Sequence, residues 1–166
     1  MTERLPITYV ARHGETAWTI SGQHTGLTDL PLTARGERNA RRLGERLKGL
    51  TFARVFTSPL RRAFRTCELA GFARLATVDP DLVEWNYGEY EGRTTADIRV
   101  KRPDWELFRD GCPEGETPGQ ISVRADAVIG RVRAASLSAL GYGHEPSRAV
   151  IRLWNETRHV ESDGSE

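Results

Sequence analysis

The chain has 166 residues, 38% of them hydrophobic and 28% charged, a balance that fits one soluble domain able to bury a core. Its formal net charge of +1 at pH 7 excludes the strong field of a nucleic-acid or membrane-surface binder. No apolar run approaches a membrane span, and residues 1–6 lack the apolar core of a signal peptide, so the cytoplasm is the expected compartment. All but two of the 24 basic residues are arginine, the exceptions being Lys48 and Lys101, a bias that reads as base composition. Cys67 and Cys112 lack metal-site spacing. Cys67 is expected in the core and Cys112 exposed in a Gly-rich loop.

Residues 7–11, Ile-Thr-Tyr-Val-Ala, read as a short buried strand ending in the turn signal of Gly14. A polar loop rich in Gly and hydroxyls follows over 21–29. Thr33 reads as the N-cap of a helix over about 34–48, with Ala40, Leu43 and Leu47 inward and Gly49 as the stop. Residues 54–57 read as a second strand. Ser58 is the expected cap of the next helix, with Pro59 in its first position and Gly71 past its end. Residues 84–92 show no period. Two helical pieces, 97–100 and 105–109, are split by Pro103. Thr117 and Gln120 form a capping-box pattern with Pro118 at the first helical position, and that helix carries Ile121, Ala125, Val128, Ile129 and Val132 on one face to about residue 133. Strand-like segments at 136–142 and 149–154 complete a single domain over 1–160, and 161–166 is a polar, disordered tail.

Three blocks carry chemistry. Arg12-His13-Gly14-Glu15-Thr16 lies past the carboxyl end of the first strand, where open α/β sheets bind ligands. An Arg fork there suits a phosphate dianion, and a neutral imidazole can attack phosphorus. Thr57-Ser58-Pro59-Leu60-Arg61-Arg62-Ala63 puts two cations in the first turn of a helix, where the dipole disfavours them unless an anion is bound. Glu84, in an aromatic loop, is a general-acid candidate whose pKa partial burial would raise. His24 is a pocket-rim candidate. For the first block phosphate chemistry is favoured over an ordinary loop, whereas the other two, taken singly, also read as solvated arginines and a surface carboxylate.

Together with Thr25-Gly26, Thr28-Asp29, Leu32-Thr33, Glu84-Trp85-Asn86-Tyr87-Gly88 and Tyr90-Glu91-Gly92, these blocks resemble the histidine phosphatase superfamily, which includes cofactor-dependent phosphoglycerate mutases. They occur in the family's order over most of residues 7–133. Residues 18–26 and 105–112 look most like its acid phosphatase and sugar bisphosphatase branch. The resemblance implies an α/β fold, a three-layer αβα arrangement with a mostly parallel central sheet. It implies His13 as nucleophile, Arg12 and Arg62 (rather than Arg61) as phosphate ligands, and Glu84 as the acid that protonates the leaving oxygen and then activates water. Thr19, Ser21, Gln23, Thr25, Gly26 and Tyr87 would contact the substrate. Thr19 stands where the family usually has Asn. No metal and no cofactor are implied, because cationic side chains neutralise the phosphate charge. The implied partner is a small phosphorylated metabolite.

The family's second active-site His, in a His-Gly pair after a central apolar strand, is missing. A strand, that pair and the following helix read as deleted near Ala134. His144 reads as a hairpin-tip residue and His159 lies in the tail. The expectation is therefore a phosphomonoesterase of reduced activity, with a phosphoglycerate mutase or a non-catalytic phosphate binder as alternatives. Strand edges left by the deletion favour association into a homodimer.

Overall fold

The computed structural model describes residues 8–136, with side chains to 132. Its regular elements are α1 (Ala17–Ser21), α2 (Ala34–Leu47), β1 (Val55–Thr57), α3 (Arg61–Leu69), β2 (Ala76–Val78), α4 (Thr95–Lys101), α5 (Leu107–Asp110) and α6 (Pro118–Ser136). Single 3-10 turns cover Pro80–Leu82 and Gly88–Tyr90. Of the expected segment at 136–142, Ser136 still belongs to α6; residues 137–142, the segment at 149–154, His144, His159 and the tail lie outside the described residues.

Helix ends follow their capping chemistry. The hydroxyl of Thr16 accepts the Thr19 N–H at 3.2 Å, and that of Thr19 accepts the Thr16 N–H at 2.8 Å, a capping box that starts α1. Gly22 ends it in the left-handed region, φ 75°. Thr33 caps α2 as its sequence suggests, accepting the Gly36 N–H at 3.0 Å. At Thr117 the expected box closes with Gln120. Ser58 does not cap α3. The N-cap is Leu60, without a side-chain bond, and Ser58 only closes a turn onto the Leu60 N–H at 3.3 Å. The Arg61 N–H is taken instead by Asp29, 32 residues away, at 2.7 Å.

The sheet among the described residues is two-stranded. β1 and β2 run parallel with Val55 opposite Ala76 and Thr57 opposite Val78, and α3 supplies the crossover that parallel strands require. Sequence reading missed β2 because three residues are too few to show a period. Of the expected strand at 7–11, residue 7 lies outside the described residues and Thr8 forms a β-bridge, but the rest is corrected. Residues 9–11 have no strand structure and are exposed, because an apolar run becomes a strand only where a neighbour completes its ladder.

α2 packs on α3, and α3 on β1. The main core lies elsewhere. Trp85, Tyr87, Tyr90, Ile98, Trp105 and Cys112 form one buried cluster, flanked by Leu107 and Ile121. Cys112 was expected to be exposed; it is buried because its loop folds back over Trp105, whose indole N–H donates to the Gly111 carbonyl at 2.9 Å. α6 packs on the turn at 80–82 and on α5. Its apolar stripe is only partly used, since Ala125 and Ile129 are exposed. No helix among the described residues is long and apolar enough to cross a membrane.

Candidate active site

His13 sits in a loop pressed against the start of α2. A Cβ on Gly14 would lie 2.4 Å from the Gly36 carbonyl oxygen, so only glycine allows this approach. The Gly14 N–H donates to Thr66 at 3.0 Å, and the Thr66 hydroxyl donates to the Arg62 carbonyl at 2.7 Å. This chain ties the His13 loop to α3. The His13 Nδ1 lies 2.7 Å from the Gly14 carbonyl. A carbonyl only accepts, so Nδ1 carries the proton and Nε2 keeps its lone pair. Burial pushes the pKa of His13 below 6.5. The Gly14 bond and Glu84 oppose that shift, and Arg62 and Arg12 add to it.

Arg62 is 1% exposed. Its guanidinium donates to the carbonyls of Thr28 at 2.9 Å, Gly26 at 2.7 Å and Thr25 at 3.2 Å. Burial opposes its charge, while Glu84, Asp29 and Glu91 favour it. Arg61, its neighbour, faces outward beside Pro31, Glu37, Phe64 and Glu68. Arg12 is exposed, and among the described residues no side chain or carbonyl hydrogen-bonds its guanidinium.

Glu84 shares this electrostatic environment, acting on His13, Arg62, Tyr87 and His24. The expectation of partial burial is corrected: Glu84 is exposed, and its carboxylate accepts one bond, from the Trp85 N–H at 2.9 Å. The aromatic residues around it turn inward and leave it on the rim. Tyr87 is buried, which together with Glu84, Cys112 and Glu91 raises its pKa well above 10.

The other expected contact residues separate into groups. Thr25 and Gly26 present their carbonyls to Arg62, and a Cβ on Gly26 would lie 2.2 Å from the Trp85 carbonyl oxygen. Ser21 donates to Gln23, whose amide donates to the Gly92 carbonyl at 2.6 Å. The Thr19 hydroxyl is committed to the α1 cap and to the Thr16 carbonyl. Among the described residues no group of three or more His, Cys, Asp or Glu is placed to hold a metal ion.

Sequence reasoning assigned no role to Glu91, which accepts the N–H groups of Gly26 at 2.8 Å and Thr28 at 3.1 Å. The His24 ring stacks on Tyr87 at 4.6 Å and meets Trp105 edge-on at 5.7 Å. The sequence signal for both was weak, a carboxylate between Tyr90 and Gly92 and a histidine before Thr25-Gly26. An imidazole with a free Nε2, two nearby guanidiniums and a carboxylate on the rim can together attack a phosphate ester and handle the proton of its leaving group.

The chain is similar to several known proteins. The chain is 41% identical over 149 residues to an acid phosphatase of Mycobacterium tuberculosis, covering 86% of this chain and 72% of that one. It is 36% identical over 190 residues to the sedoheptulose 1,7-bisphosphatase of Saccharomyces cerevisiae, covering 93% and 69%. A solved structure of an open reading frame product from M. tuberculosis superposes with a TM-score of 0.70 at 41% identity, over 76% of this chain and 66% of that one. A phosphoglycerate mutase from Thermus thermophilus superposes with a TM-score of 0.58 at 40% identity, over 72% and 68%. The chain thus spans about two thirds of the length of these solved structures, and its fold is the α/β fold of phosphoglycerate mutase-like proteins. Residues 8–156 match the histidine phosphatase superfamily (branch 1), and the chain belongs to that family.

Proposed function

We propose that this chain is a phosphomonoesterase that hydrolyses small phosphate esters, sugar phosphates among them, through a phosphohistidine. The observation that carries the reading is His13, with Nδ1–H on the Gly14 carbonyl at 2.7 Å and Nε2 free. Nε2 attacks phosphorus, the bond from phosphorus to the ester oxygen breaks, and Glu84 gives its proton to that oxygen. The Glu84 carboxylate then takes a proton from water, the resulting hydroxide attacks phosphorus, and the P–N bond breaks to release phosphate and neutral His13. Arg12 and Arg62 hold the phosphate oxygens, Ser21, Gln23, Thr25 and Tyr87 line the mouth beside the leaving group, and Thr19 and Gly26 complete the substrate-binding wall. Incubation with a 32P-labelled sugar phosphate, a basic quench and peptide mapping should place acid-labile label on His13. Label on another residue, or equal labelling of His13→Ala, would overturn the reading.

The same proposal includes slow turnover. The alignment with the yeast bisphosphatase runs 190 positions against 166 residues in this chain, so that relative carries residues inside the match that this chain lacks. We place the lost segment near Ala134 and assign to it the family's second histidine. A single donor to a transferring group contributes about 10²–10³ in rate, about 2.7–4 kcal/mol. Inserting the corresponding segment of a relative after Ala134 should raise kcat more than it lowers KM. An unchanged kcat in a folded insertion variant would remove the deletion from the account. Likeness to a solved phosphoglycerate mutase keeps a mutase in view, and interconversion of phosphoglycerates without release of phosphate would select it.

A further inference from the structure

The largest polar assembly among the described residues lies behind the proposed acid, and the function above gives it no role. The Glu116 carboxylate receives Arg124 at both oxygens, Nε at 2.9 Å and a terminal nitrogen at 2.8 Å, and also accepts the Asn86 N–H at 2.8 Å. Arg124 donates as well to the carbonyls of Asp81 at 2.8 Å, Val83 at 2.6 Å and Glu84 at 3.4 Å. The backbone of Glu116 completes the clasp. Its N–H donates to the Asn86 carbonyl at 2.9 Å, and its carbonyl accepts the Trp85 indole N–H at 2.9 Å. Residues 81–86 are thus held by one carboxylate and one guanidinium, with side chains only 20% and 18% exposed.

Two further observations give the clasp a direction. Seven residues along α6, on the same face, Arg131 grips Asp79 at 2.8 and 3.0 Å and Asp81 at 2.6 Å. The segment is therefore held from α6 at residues 79–84 and by Glu116, just before the helix, at residues 85–86. The Glu84 carboxylate, in contrast, is held among the described residues by the adjacent Trp85 N–H alone. Its aim depends on its backbone. Burial alone would raise the Glu116 carboxyl, but the bonds from Arg124 and Asn86 outweigh it and hold its pKa below 4.5. A half-buried pair of this kind is weak grounds for added stability, because desolvation offsets its attraction. What it supplies here is a fixed geometry. Arg suits this task better than Lys because its planar fork meets a carboxylate in two bonds and still reaches three carbonyls.

We propose that Arg124 and Glu116 are positioning residues for Glu84, clamping residues 81–86 so that its carboxylate faces the leaving oxygen above His13. The proposal rests on the Glu84 assignment made above. A misplacement of about 1 Å can lower a rate by about 10²-fold, so the clamp should matter most where proton donation matters most.

The test compares first-turnover rates on p-nitrophenyl phosphate, whose leaving group needs little protonation, and on glycerol phosphate, whose alkoxide needs it. Glu84→Gln should lower the glycerol phosphate rate about 10²-fold more than the aryl rate. Glu116→Gln and Arg124→Gln should shift the same ratio in the same direction by about tenfold, Arg124→Lys should recover part of it, and Arg124→Gln in a Glu84→Gln background should shift it no further. Amide exchange at Trp85 and Asn86 should accelerate in Glu116→Gln while the amides of α2 keep their rates. Equal losses on both substrates, or unchanged exchange at 85–86, would make the pair merely structural. If Glu84→Gln moves the ratio and the folded Arg124→Gln and Glu116→Gln do not, the reaction stands and the positioning role falls. If Glu84→Gln itself leaves the ratio unmoved, the Glu84 assignment fails and takes the positioning role with it.

Discussion

On the loop side of the molecule, Trp85, Tyr87, Tyr90, Ile98, Trp105 and Cys112 close into one buried cluster. On the sheet side each described strand is three residues long, and Tyr9, Val10 and Val78 remain 41–46% exposed. The loop side also satisfies its own polar groups, through Glu91 on the N–H groups of Gly26 and Thr28, Arg62 on three carbonyls, and the Arg124–Glu116 clasp. Parallel sheets are ordinarily covered on both faces. The contrast shows how, among the described residues, the candidate site takes its form beside a two-stranded sheet. Its geometry is set by contacts among loops, not by the ladder.

The largest effect expected from this difference is on stability. Trp85→Ala, which empties the centre of the loop cluster, should lower the unfolding free energy by about 3–5 kcal/mol. Val10→Ala on the sheet side should change it by about 0.5 kcal/mol or less. Denaturant unfolding of the two variants decides the matter, and similar losses would mean that the sheet side carries a core of its own.

A smaller effect separates two adjacent arginines. Arg62→Ala should weaken vanadate binding by about 1.5–3 kcal/mol, the range for a hydrogen bond to a charged group. It should also lower the melting temperature, because Arg62 supports the carbonyls of residues 25–28. Arg61→Ala should do neither. Calorimetric titration with vanadate would sharpen the comparison, and the opposite ranking would show the phosphate site to be on the outer face of α3.

The smallest effect is on pH. Burial depresses the pKa of both His13 and His24 below 6.5. The unfolded chain therefore binds more protons than the folded one between the folded value and 6.5, and stability falls as pH drops through that window. Glu116, lowered below 4.5, adds stability that is present above 4.5 and lost as pH falls through its folded value. His24→Phe keeps a ring on Tyr87 and should flatten the slope of melting temperature between about pH 5 and 6.5. An unchanged slope would leave His13 and the carboxylates as its source.

Much of the candidate site was legible in the sequence. Gly14 marks a loop whose approach to Gly36 only glycine allows, and the structure buries Arg62 while turning Arg61 outward; which of them holds a phosphate belongs to the proposal above. Thr33, Thr117 and the glycines at 49 and 71 announce helix ends through local capping chemistry that needs no distant partner, whereas α1, closed by Thr16 and Gly22, was read as loop. The N-cap of α3 was misread because its first N–H is met by Asp29 from another loop. Glu84 was placed correctly in the chain but wrongly in depth, since nothing local says that Trp85 and Tyr87 turn inward and leave it on the rim.

By itself the sequence determined the family, the caps that start α2 and α6, and which residues are candidates for the chemistry. Each depends on residue type, short spacing or the order of motifs. The tertiary structure alone decided which groups meet across the chain: Glu91 with residues 26 and 28, Thr66 with Gly14, and Arg124 and Glu116 with residues 81–86. It also decided that residues 9–11 stay exposed and that Cys112 is buried. Burial and long-range hydrogen bonding belong to the packed chain as a whole, and no window of sequence contains both partners of a contact formed thirty or more residues apart.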